Sequence, residues 1–493
     1  MELVSSVELP REYVDVSVPL VTGQSIYVAA GDNLQAAINA AQLGDEIVLQ
    51  AGATFVGSFT LPVKSGEGWI TIRSDGPLPP PGTRVTADDA GAMATILASG
   101  SNVAALSTMP GAHHYHIIGV EFSAAPGVNQ MTSLINLGSG NPDQDTLAEQ
   151  PHHIILDRVY VHGTETLDLR RGIALNSAET AIVDSYISEI HSTADSQAIA
   201  GWNGTGPYLI QNNYLEAAGE NIMFGGADPQ IPNALPGDIV IRGNDFFKPL
   251  DWQGVWLVKN LLELKIGLRV LIEDNNFENN WVDGQSGFAI VFKSTNQNGS
   301  APWSQTADVT FRNNVVQNSA SGLNIAGSPE THDAVTAARF LISNNLFTEI
   351  GNFAGTQDGR MFQLLGATDV IIENNTAIHN ISAGTTITFD GDPTLRLVFQ
   401  DNIVTHGQYG IMGSGASEGA ATLDAYAPDA AISGNVFIGA SAGRYGGTYA
   451  DNYFPATLSD VGFIDPTNGN YQLNSDSRFR TAGAKITKRR PLR

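Results

Sequence analysis

Five ionisable residues between positions 170 and 300 have the types and the spacing that acid–base chemistry requires. They are Arg171, Asp195, Glu220, Lys259 and Glu263. Such side chains become general acids or bases when burial or a neighbouring charge shifts the pKa toward the working pH. The ordinary interpretation of each is a solvated ion pair on the surface, which contributes little to stability. Taken together, they are the candidate catalytic residues of the chain.

Tryptophans are concentrated in the same part of the sequence. Four of the six are Trp202, Trp252, Trp256 and Trp281, and Trp303 follows closely. An exposed indole is a flat apolar platform on which a sugar ring stacks, whereas a buried indole fills the core. The sequence leaves both interpretations open. We assign these tryptophans to substrate binding, together with four polar neighbours: Gln197, Asn221, Asn260 and Lys293.

A short phrase that repeats along the chain indicates how these residues are positioned. It consists of a small or polar residue, Asn, and an apolar or aromatic pair, as in Asn313-Asn314-Val315-Val316. The Asn, or the residue that replaces it, recurs at intervals of 27 to 39 residues, at positions 185, 213, 244, 275, 314, 345, 375, 402 and 435. Self-similarity with a period near 30 residues predicts a solenoid.

The repeats predict strands rather than helices. Short runs rich in Val and Ile, such as Asp238-Ile239-Val240-Ile241, precede the phrase. These runs are too short and too β-branched for helices, and three strands with three turns fit the period. The sequence therefore predicts an all-β fold, a single right-handed parallel β-helix. The repeated Asn is predicted to take a left-handed backbone conformation at each bend and to form an amide ladder between coils.

A short helix is predicted to cap the N-terminal end of this solenoid. Asp32 is the predicted N-cap, with Gln35 three residues later as in a capping box, and Gly44 is placed to end the helix. Leu34 and Ile38 lie on its apolar stripe. An amphipathic helix covers core and unpaired backbone that an open solenoid end would expose.

The stretch from Leu34 to Pro62, a helix followed by Gly-Asp-Glu-Ile-Val-Leu and further short strands, resembles the N-terminal cap of many bacterial β-helix proteins. The resemblance is to right-handed β-helix repeat proteins of the polysaccharide lyase and glycoside hydrolase type, and it implies action on a polysaccharide. The motifs of polygalacturonases, classical pectate lyases and alginate epimerases are not found. We predict an N-terminal extension (1–26), a cap (27–62), the β-helix (63–465) and a C-terminal segment (466–493) with a basic tail.

Composition limits the classes of partner. The chain has 50 acidic and 25 basic residues, a net charge of −25, which argues against nucleic acid and anionic membranes. No stretch of apolar residues is long enough to span a membrane. The absence of cysteine excludes disulfides and thiol chemistry. The opening residues lack a signal peptide, so a secreted or periplasmic location is expected only for a chain whose leader has been removed. A monomer or small homo-oligomer is expected.

Aligning the coils at their bends brings Arg171, Gln197, Glu220, Lys259 and Lys293 close to one stripe, where two mechanisms are open. In β-elimination from a uronate-containing glycan, Lys259 is the candidate base, and Arg171, Lys265 or Lys293 neutralises the substrate carboxylate. In hydrolysis, two carboxylates flank the bond; the preferred pair is Asp195 and Glu220, and the other acids are Glu263 and Asp283. Elimination is favoured. The rivals are a noncatalytic glycan-binding β-helix and a tailspike-like β-helix.

Two further patterns are typical of metal ligands. His113-His114 and His152-His153 each open a predicted strand, where alternation should send neighbouring side chains to opposite faces. Asp143-Gln144-Asp145 has the spacing of calcium ligands but lacks the later ligands of an EF-hand, so a solvated turn is favoured. We assign no residue to a metal site and keep Ca²⁺ as the only candidate cofactor.

Overall fold

The computed structural model describes residues 6–327, 331–445, 449 and 451–486. The predicted basic tail falls largely on residues 487–493, which lie outside the described residues. The chain divides into two compact units. The N-terminal unit comprises Pro10–Phe247 and Gly254–Leu257, and the C-terminal unit comprises Met1–Leu9, Lys248–Gln253 and Val258–Arg493. In the described parts of the chain, no helix is long and apolar enough to cross a membrane.

The strands of the N-terminal unit form three parallel sheets. Sheet A contains Ser25–Val28, Glu46–Leu49, Ile70–Ser74, His113–Ile118, His152–Asp157, Ala178–Val183, Tyr208–Gln211 and Gly237–Arg242. Sheet B contains Thr54–Gly57, Ala94–Ala98, Val120–Ala124, Tyr160–His162, Tyr186–Ile190, Tyr214–Ala217 and Asp245–Phe247. Sheet C contains Phe59–Leu61, Leu106–Thr108, Ile135–Leu137, Arg171–Leu175, Gln197–Gly201 and Glu220–Phe224. Gln130–Met131 and Asp168–Leu169 form a small parallel pair.

The C-terminal unit also has three parallel sheets. Sheet D contains Gly267–Glu273, Thr306–Arg312, Ala338–Ser343, Thr368–Glu373, Leu395–Gln400 and Ala431–Ser433. Sheet E contains Asn276–Asn280, Val315–Ser319, Leu346–Ile350, Thr376–His379, Ile403–Thr405 and Val436–Ile438. Sheet F contains Asn260–Leu264, Phe288–Lys293, Ser321–Ala326, Arg360–Leu365, Thr385–Phe389 and Ile411–Gly413. Two antiparallel pairs join Asn352–Phe353 to Thr356–Gln357 and Phe463–Asp465 to Asn470–Leu473.

Helices are short. The α-helices are Leu34–Ala40 and Ala420–Tyr426, and the 3₁₀ helices are Ala87–Ala92, Leu147–Glu149, Leu250–Trp252, Ala442–Tyr445, Leu458–Val461 and Pro466–Asn468. Within each unit, successive strands of the chain pass from one sheet to the next, and each strand pairs in parallel with a strand of the following coil. This arrangement is a parallel β-helix, and the predicted fold class is confirmed.

The capping helix forms where the sequence predicts it but begins one residue later. Asn33, not Asp32, is the N-cap, and its side chain accepts a hydrogen bond from the Ala36 amide at 3.0 Å. Asp32 instead accepts from the Ala29 amide within the preceding turn. The predicted capping box is therefore wrong. Gln35 uses its side-chain amide to bind the backbone of Thr60, which ties the helix to the strand Phe59–Leu61.

The predicted amide ladder is confirmed within each unit. Asn345 is typical of the ladder residues. Its Oδ1 accepts from the backbone N–H and the Nδ2 of Asn314 at 2.9 and 3.1 Å, and its Nδ2 donates to the Oδ1 of Asn375 at 2.9 Å and to the Phe311 carbonyl at 2.8 Å. The ladder side chain is fully buried, so each amide satisfies backbone groups that water does not reach.

The predicted backbone conformation of the ladder residue is wrong. The left-handed conformation belongs to the residue before it, with φ of +58° at Asn313, +54° at Asn344, +55° at Asn374 and +53° at Asp401. The bend therefore needs two adjacent residues with different tasks. The first adopts positive φ, which Asn and Asp tolerate, and the second points its amide inward. This division explains why the repeated phrase so often contains two adjacent polar residues.

A second column of positive φ runs along sheet D of the C-terminal unit, near the start of successive strands. Asp308, Arg339, Asp369 and Arg396 have φ between +54° and +61°. The Arg339 guanidinium donates two hydrogen bonds of 2.7 Å to Asp308, and the Arg396 guanidinium binds Asp369 at 2.7 and 2.8 Å. Strand pairing skips these positions, which marks a bulge repeated from coil to coil. Acid and base therefore alternate along the column.

Candidate functional site

The predicted site residues Arg171, Gln197 and Glu220 lie on three neighbouring strands of sheet C, and Asp195, which is half-buried, lies just before the second of these strands. Arg171 is paired in register with Gln197, and Gln197 with Glu220. The Gln197 side chain donates a hydrogen bond of 2.8 Å to the Glu220 carboxylate. Both Gln197 and Glu220 have no exposed surface, so neither contacts solvent directly. The predicted roles of Glu220 as an acid and Gln197 as a substrate ligand remain predictions, and their burial is unfavourable for direct contact with a glycan.

Arg171 is the member of this row that reaches an opening. Its guanidinium lies 5.0 Å from the centre of the Trp202 ring, a distance typical of a cation–π contact. Burial lowers the pKa of Arg171 from its ordinary value, and Arg170 acts in the same direction, while Asp195 and Glu220 oppose the shift. The guanidinium nevertheless stays cationic at any physiological pH.

Arg171 and Trp202 line a surface cleft of about 240 Å³ in the N-terminal unit. The Trp202 indole N–H donates to the Gly140 carbonyl, and a Cβ at Gly140 would lie 2.1 Å from the ring, so only glycine leaves room for it. Asn176 holds the turn that carries Trp202, since its Oδ1 accepts from the backbone amides of residues 202 and 203 at 3.0 and 2.9 Å. Asn136 lines the same cleft and is half-buried. The cleft combines a cation, an indole and an amide.

The interpretation of all five tryptophans as exposed platforms is wrong for two of them. Trp281 is 1% exposed and Trp252 is 5% exposed, so both fill the core. Trp202, Trp256 and Trp303 are half-buried. Trp256 stacks on His191 with 4.1 Å between ring centres, which covers one of its faces. Trp202 is the tryptophan that the structure places in a cleft with a cation.

The C-terminal unit contains a second ionisable group, the lysine cluster, which consists of Glu263, Lys265 and Lys293. Glu263 and Lys293 lie on two neighbouring strands of sheet F, and Lys265 directly follows the strand that carries Glu263. The Glu263 carboxylate is fully buried. It lies 3.4 Å from the Lys293 amine and 3.9 Å from the Lys265 amine, and those two side chains are 14% and 13% exposed. One carboxylate therefore faces two ammonium groups. The structure thus brings together three of the residues that the sequence assigned to elimination or hydrolysis.

The remaining assigned residues have different surroundings. Asn221 and Asn260 are buried, and their amides donate to backbone carbonyls of Leu215 and Phe288 at 2.6 Å. Their roles in substrate binding remain predictions, and their burial is unfavourable for direct contact with a glycan. Asp283 accepts from the Val258 amide at 2.8 Å. Lys259 is half-buried, and its role as a base stays a prediction.

The segment proposed for calcium braces a turn of the N-terminal unit. Gln144 is buried and donates to the carbonyls of Asn176 and Asn203 at 2.7 and 3.0 Å. Asp143 accepts from the Ser139 hydroxyl. These contacts connect the segment to the wall of the cleft. They support the interpretation as a turn, and binding of Ca²⁺ stays untested.

The four histidines His113, His114, His152 and His153, which we call the imidazole cluster, lie on two neighbouring strands of sheet A. The expected divergence of each pair is wrong, because His114 and His153 have φ of +60° and +53° and this bulge breaks the alternation. The Nδ1 atoms are 2.8 Å apart within the first pair and 2.7 Å apart within the second. Burial, followed by the neighbouring imidazoles, lowers the pKa of His114 to about 4, so this ring is neutral at pH 7.

Sequence reasoning missed Asn136, Asn176 and Gly140 of the cleft, and also the contacts of the imidazole cluster with Trp69 and Glu179. No local motif marks any of them. The signal that was available is the register between coils: His113, His152 and Ala178 occupy equivalent positions, which places Glu179 directly after His153 in the column.

Comparison with known proteins adds to the description of the fold. No protein-family model matches the sequence, and neither does any curated protein. The catalytic unit of a thermostable GH87 α-1,3-glucanase from Streptomyces thermodiastaticus is similar in structure, with a TM-score of 0.50 and 10% identity over 90% of this chain and 72% of that chain.

Two other solved structures are similar at lower scores. The PL6 family alginate lyase AlyGC gives a TM-score of 0.45 and 13% identity over 93% of this chain and 56% of that chain. XylC in complex with xylose gives 0.44 and 9% identity over 87% of this chain and 86% of that chain. At such identities a structural likeness speaks to architecture and not to chemistry. The chain shares the parallel β-helix fold with proteins of this kind.

Proposed function

We propose that the chain is a secreted polysaccharide-cleaving enzyme that acts on a uronate-containing glycan by β-elimination. The observation that carries this proposal is the lysine cluster, in which two half-buried amines lie beside a single buried carboxylate. The chain has a net charge of −25, so solubility does not require two lysines to lie together at partly accessible positions. We therefore interpret the pair as functional.

The chemistry of elimination fits two amines better than it fits two carboxylates. A neutral amine removes the proton from C5 of the uronate, and the electrons of that C–H bond form the C4–C5 double bond. The C4–O bond breaks with its electron pair on the leaving oxygen, which takes a proton from water. A second cation neutralises the uronate carboxylate and makes the C5 proton more acidic. Lys293 is the proposed base: it passes its own proton to Glu263, 3.4 Å away, and the neutral amine then accepts the C5 proton, while Lys265 is the proposed cation. Lys259 is the alternative base.

The cleft beside Arg171 supports binding of an acidic glycan. A guanidinium recognises a carboxylate through two parallel hydrogen bonds, and an indole edge or face contacts the apolar side of a sugar ring. Arg171 and Trp202 offer both groups within one opening. We propose that this cleft is a binding site for one uronate unit.

Hydrolysis by paired carboxylates is the weaker candidate. Glu220 and Glu263 have no exposed surface, and a general acid has to come within hydrogen-bonding distance of the glycosidic oxygen. A noncatalytic glycan-binding protein would use the cleft, but glycan binding alone would not require the lysine cluster.

The test is the ultraviolet absorbance of unsaturated uronate ends during incubation with a panel of polyuronates. We expect the absorbance to rise with at least one polymer. The Lys293→Met variant, which keeps the length of the side chain, should lose about 100-fold or more in kcat, the usual contribution of a general base. Lys64→Met is the matched control, since the Lys64 amine binds the Asn39 carbonyl beside the N-terminal helix, in the other unit of the chain.

Two results would contradict the proposal. New reducing ends without a rise in absorbance would indicate hydrolysis. Equal rates for Lys293→Met, Lys265→Met and the wild type would remove the lysine cluster from the mechanism. The Arg171→Met variant separates binding from chemistry, because it should raise KM and leave kcat nearly unchanged.

A further inference from the structure

We propose that the imidazole cluster of the N-terminal unit binds one divalent transition-metal ion of the first row, such as Cu²⁺, Ni²⁺ or Zn²⁺. This site is separate from the lysine cluster and from the cleft, and it does not depend on the proposed function. The ligands are ring nitrogens of His114, His152 and His153.

The first argument is convergence. One ring nitrogen from each of these three histidines lies within 4.8 Å of the others, and in the described parts of the chain this is the one such grouping of three or more His, Asp or Glu ligands. Metal–nitrogen bonds of about 2.0–2.1 Å place two ligand nitrogens roughly 3 to 4 Å apart. The ring nitrogens therefore have to approach one another by at most about 2 Å to form a coordination sphere, a shift that ring rotation covers.

The second argument is independent of that convergence and concerns Glu179. The Nε2 of His153 lies 2.7 Å from the Glu179 carboxylate, which belongs to the next strand of sheet A. A histidine that binds a metal through one nitrogen commonly donates its other N–H to a carboxylate, which fixes the tautomer and the ring orientation. With the proton on Nε2, which this carboxylate favours, the Nδ1 of His153 would present its lone pair to the cluster.

The bulge of sheet A makes this arrangement possible. His114, His153 and Glu179 all have positive φ, at +60°, +53° and +43°, and they follow one another in the same column. Positive φ recurs at the equivalent position of other coils, as at Asp238 of the same sheet, so the bulge belongs to the architecture of the coil; here it lets the side chains of each histidine pair converge. The rings of His114 and His153 stack with centres 4.3 Å apart, as do those of His113 and His152 at 5.0 Å.

The donor chemistry selects the class of ion. Imidazole nitrogen suits copper, nickel and zinc, whereas Ca²⁺ and Mg²⁺ prefer oxygen. The histidines are half-buried and the His153 side chain is 33% exposed, so an ion can enter from solvent. The acidic chain raises the local concentration of cations.

The alternative is a purely structural stack of rings. Trp69 contacts His114 and His153 with ring centres 5.0 and 6.1 Å apart, and it packs beside Val14 and Val16 of the N-terminal extension. A structural stack predicts no saturable metal binding. It also predicts that Glu179 has no influence on any affinity for metal ions.

The experiment is calorimetric titration of the full chain, stripped with chelator, against Cu²⁺, Ni²⁺ and Zn²⁺ in separate runs. We expect one ion per chain with a dissociation constant in the micromolar range or below. The His114→Ala and His153→Ala variants should each lose at least 100-fold in affinity, and Glu179→Gln should lose about 10- to 100-fold through the orientation of His153. His332→Ala is the matched control, since His332 is exposed and lies elsewhere in the chain.

A second measurement on the wild-type chain keeps the proposal testable if a histidine variant does not fold. Electron paramagnetic resonance of the bound Cu²⁺ should show coupling to three imidazole nitrogens. Binding of Cu²⁺ should also quench the fluorescence of Trp69, which contacts His114. Absence of saturable binding up to millimolar ion would overturn the proposal. So would unchanged affinity in the folded His114→Ala variant, or a copper spectrum without nitrogen coupling.

Discussion

Replacing one residue of the amide ladder should cost far more than its size suggests. Asn345→Ala removes four hydrogen bonds at once. Two neighbouring groups retain one hydrogen bond each: the Asn314 side-chain amide still donates to the Ile272 carbonyl, and the Asn375 Oδ1 still accepts from the backbone N–H of residue 345. The backbone N–H of Asn314 and the carbonyl of Phe311 lose the ladder partner. At roughly 1–3 kcal/mol for each buried group, the free energy of unfolding should fall by about 2–6 kcal/mol.

The assay is urea unfolding followed by far-ultraviolet circular dichroism, with the slope compared between variants to confirm that the same surface is exposed. Asn468→Ala is the control, because Asn468 is exposed and binds only Asp465 within its own turn; it should change stability by less than about 0.5 kcal/mol. Asn345→Asp tests the donors alone, since a carboxylate accepts from Asn314 but cannot donate to Phe311. A loss below about 1 kcal/mol for Asn345→Ala would refute the assignment of the ladder as a main source of stability.

Three further predictions concern stability, pH and the division between core and cleft. Burial lowers the pKa of His379 to about 4, below the unfolded value near 6.5, so the unfolded state binds the proton at a higher pH than the folded state. The free energy of unfolding should therefore fall by roughly 3 kcal/mol as the pH decreases from about 6.5 to 4. In urea unfolding at pH 7 and pH 4.5, His379→Gln should reduce this pH dependence. A double-mutant cycle of Arg339→Met and Asp308→Asn should give a coupling energy of about 1 kcal/mol at low salt, reduced because Arg339 is 30% exposed; a coupling near zero would contradict a stabilising column. Trp281→Ala should lower the free energy of unfolding by about 3–5 kcal/mol, because Trp281 is buried in the core. Trp202→Ala should chiefly weaken glycan binding, measured by affinity electrophoresis. The opposite result for the two variants would contradict the assignment of Trp281 to the core and of Trp202 to the cleft.

The sequence was sufficient to predict the β-helix and the ladder because both depend on a repeated interaction. A ladder amide needs the same amide on the next coil, so the physical requirement leaves a periodic trace such as Asn314, Asn345 and Asn375. Such a periodic pattern can be recognised in the sequence without knowing which face of each strand is buried.

The candidate site was harder to predict because it depends on direction as well as on position. Trp202 lines a cleft and Trp281 is buried, and no periodic signal in the sequence distinguishes the two. Alternation failed for His113 and His114, since a histidine with positive φ is uncommon and no rule based on Gly, Asn or Asp would find it.

The alternating column of Asp308, Arg339, Asp369 and Arg396 limits how the C-terminal unit can change its length. Removal of any single interior coil would place two acids or two bases on neighbouring strands, about 4.8 Å apart, where like charges repel. Removal or duplication of two consecutive coils keeps every acid beside a base. The column therefore favours the gain or loss of coils in pairs, and a shortened variant that keeps the alternation should be more stable than one that breaks it.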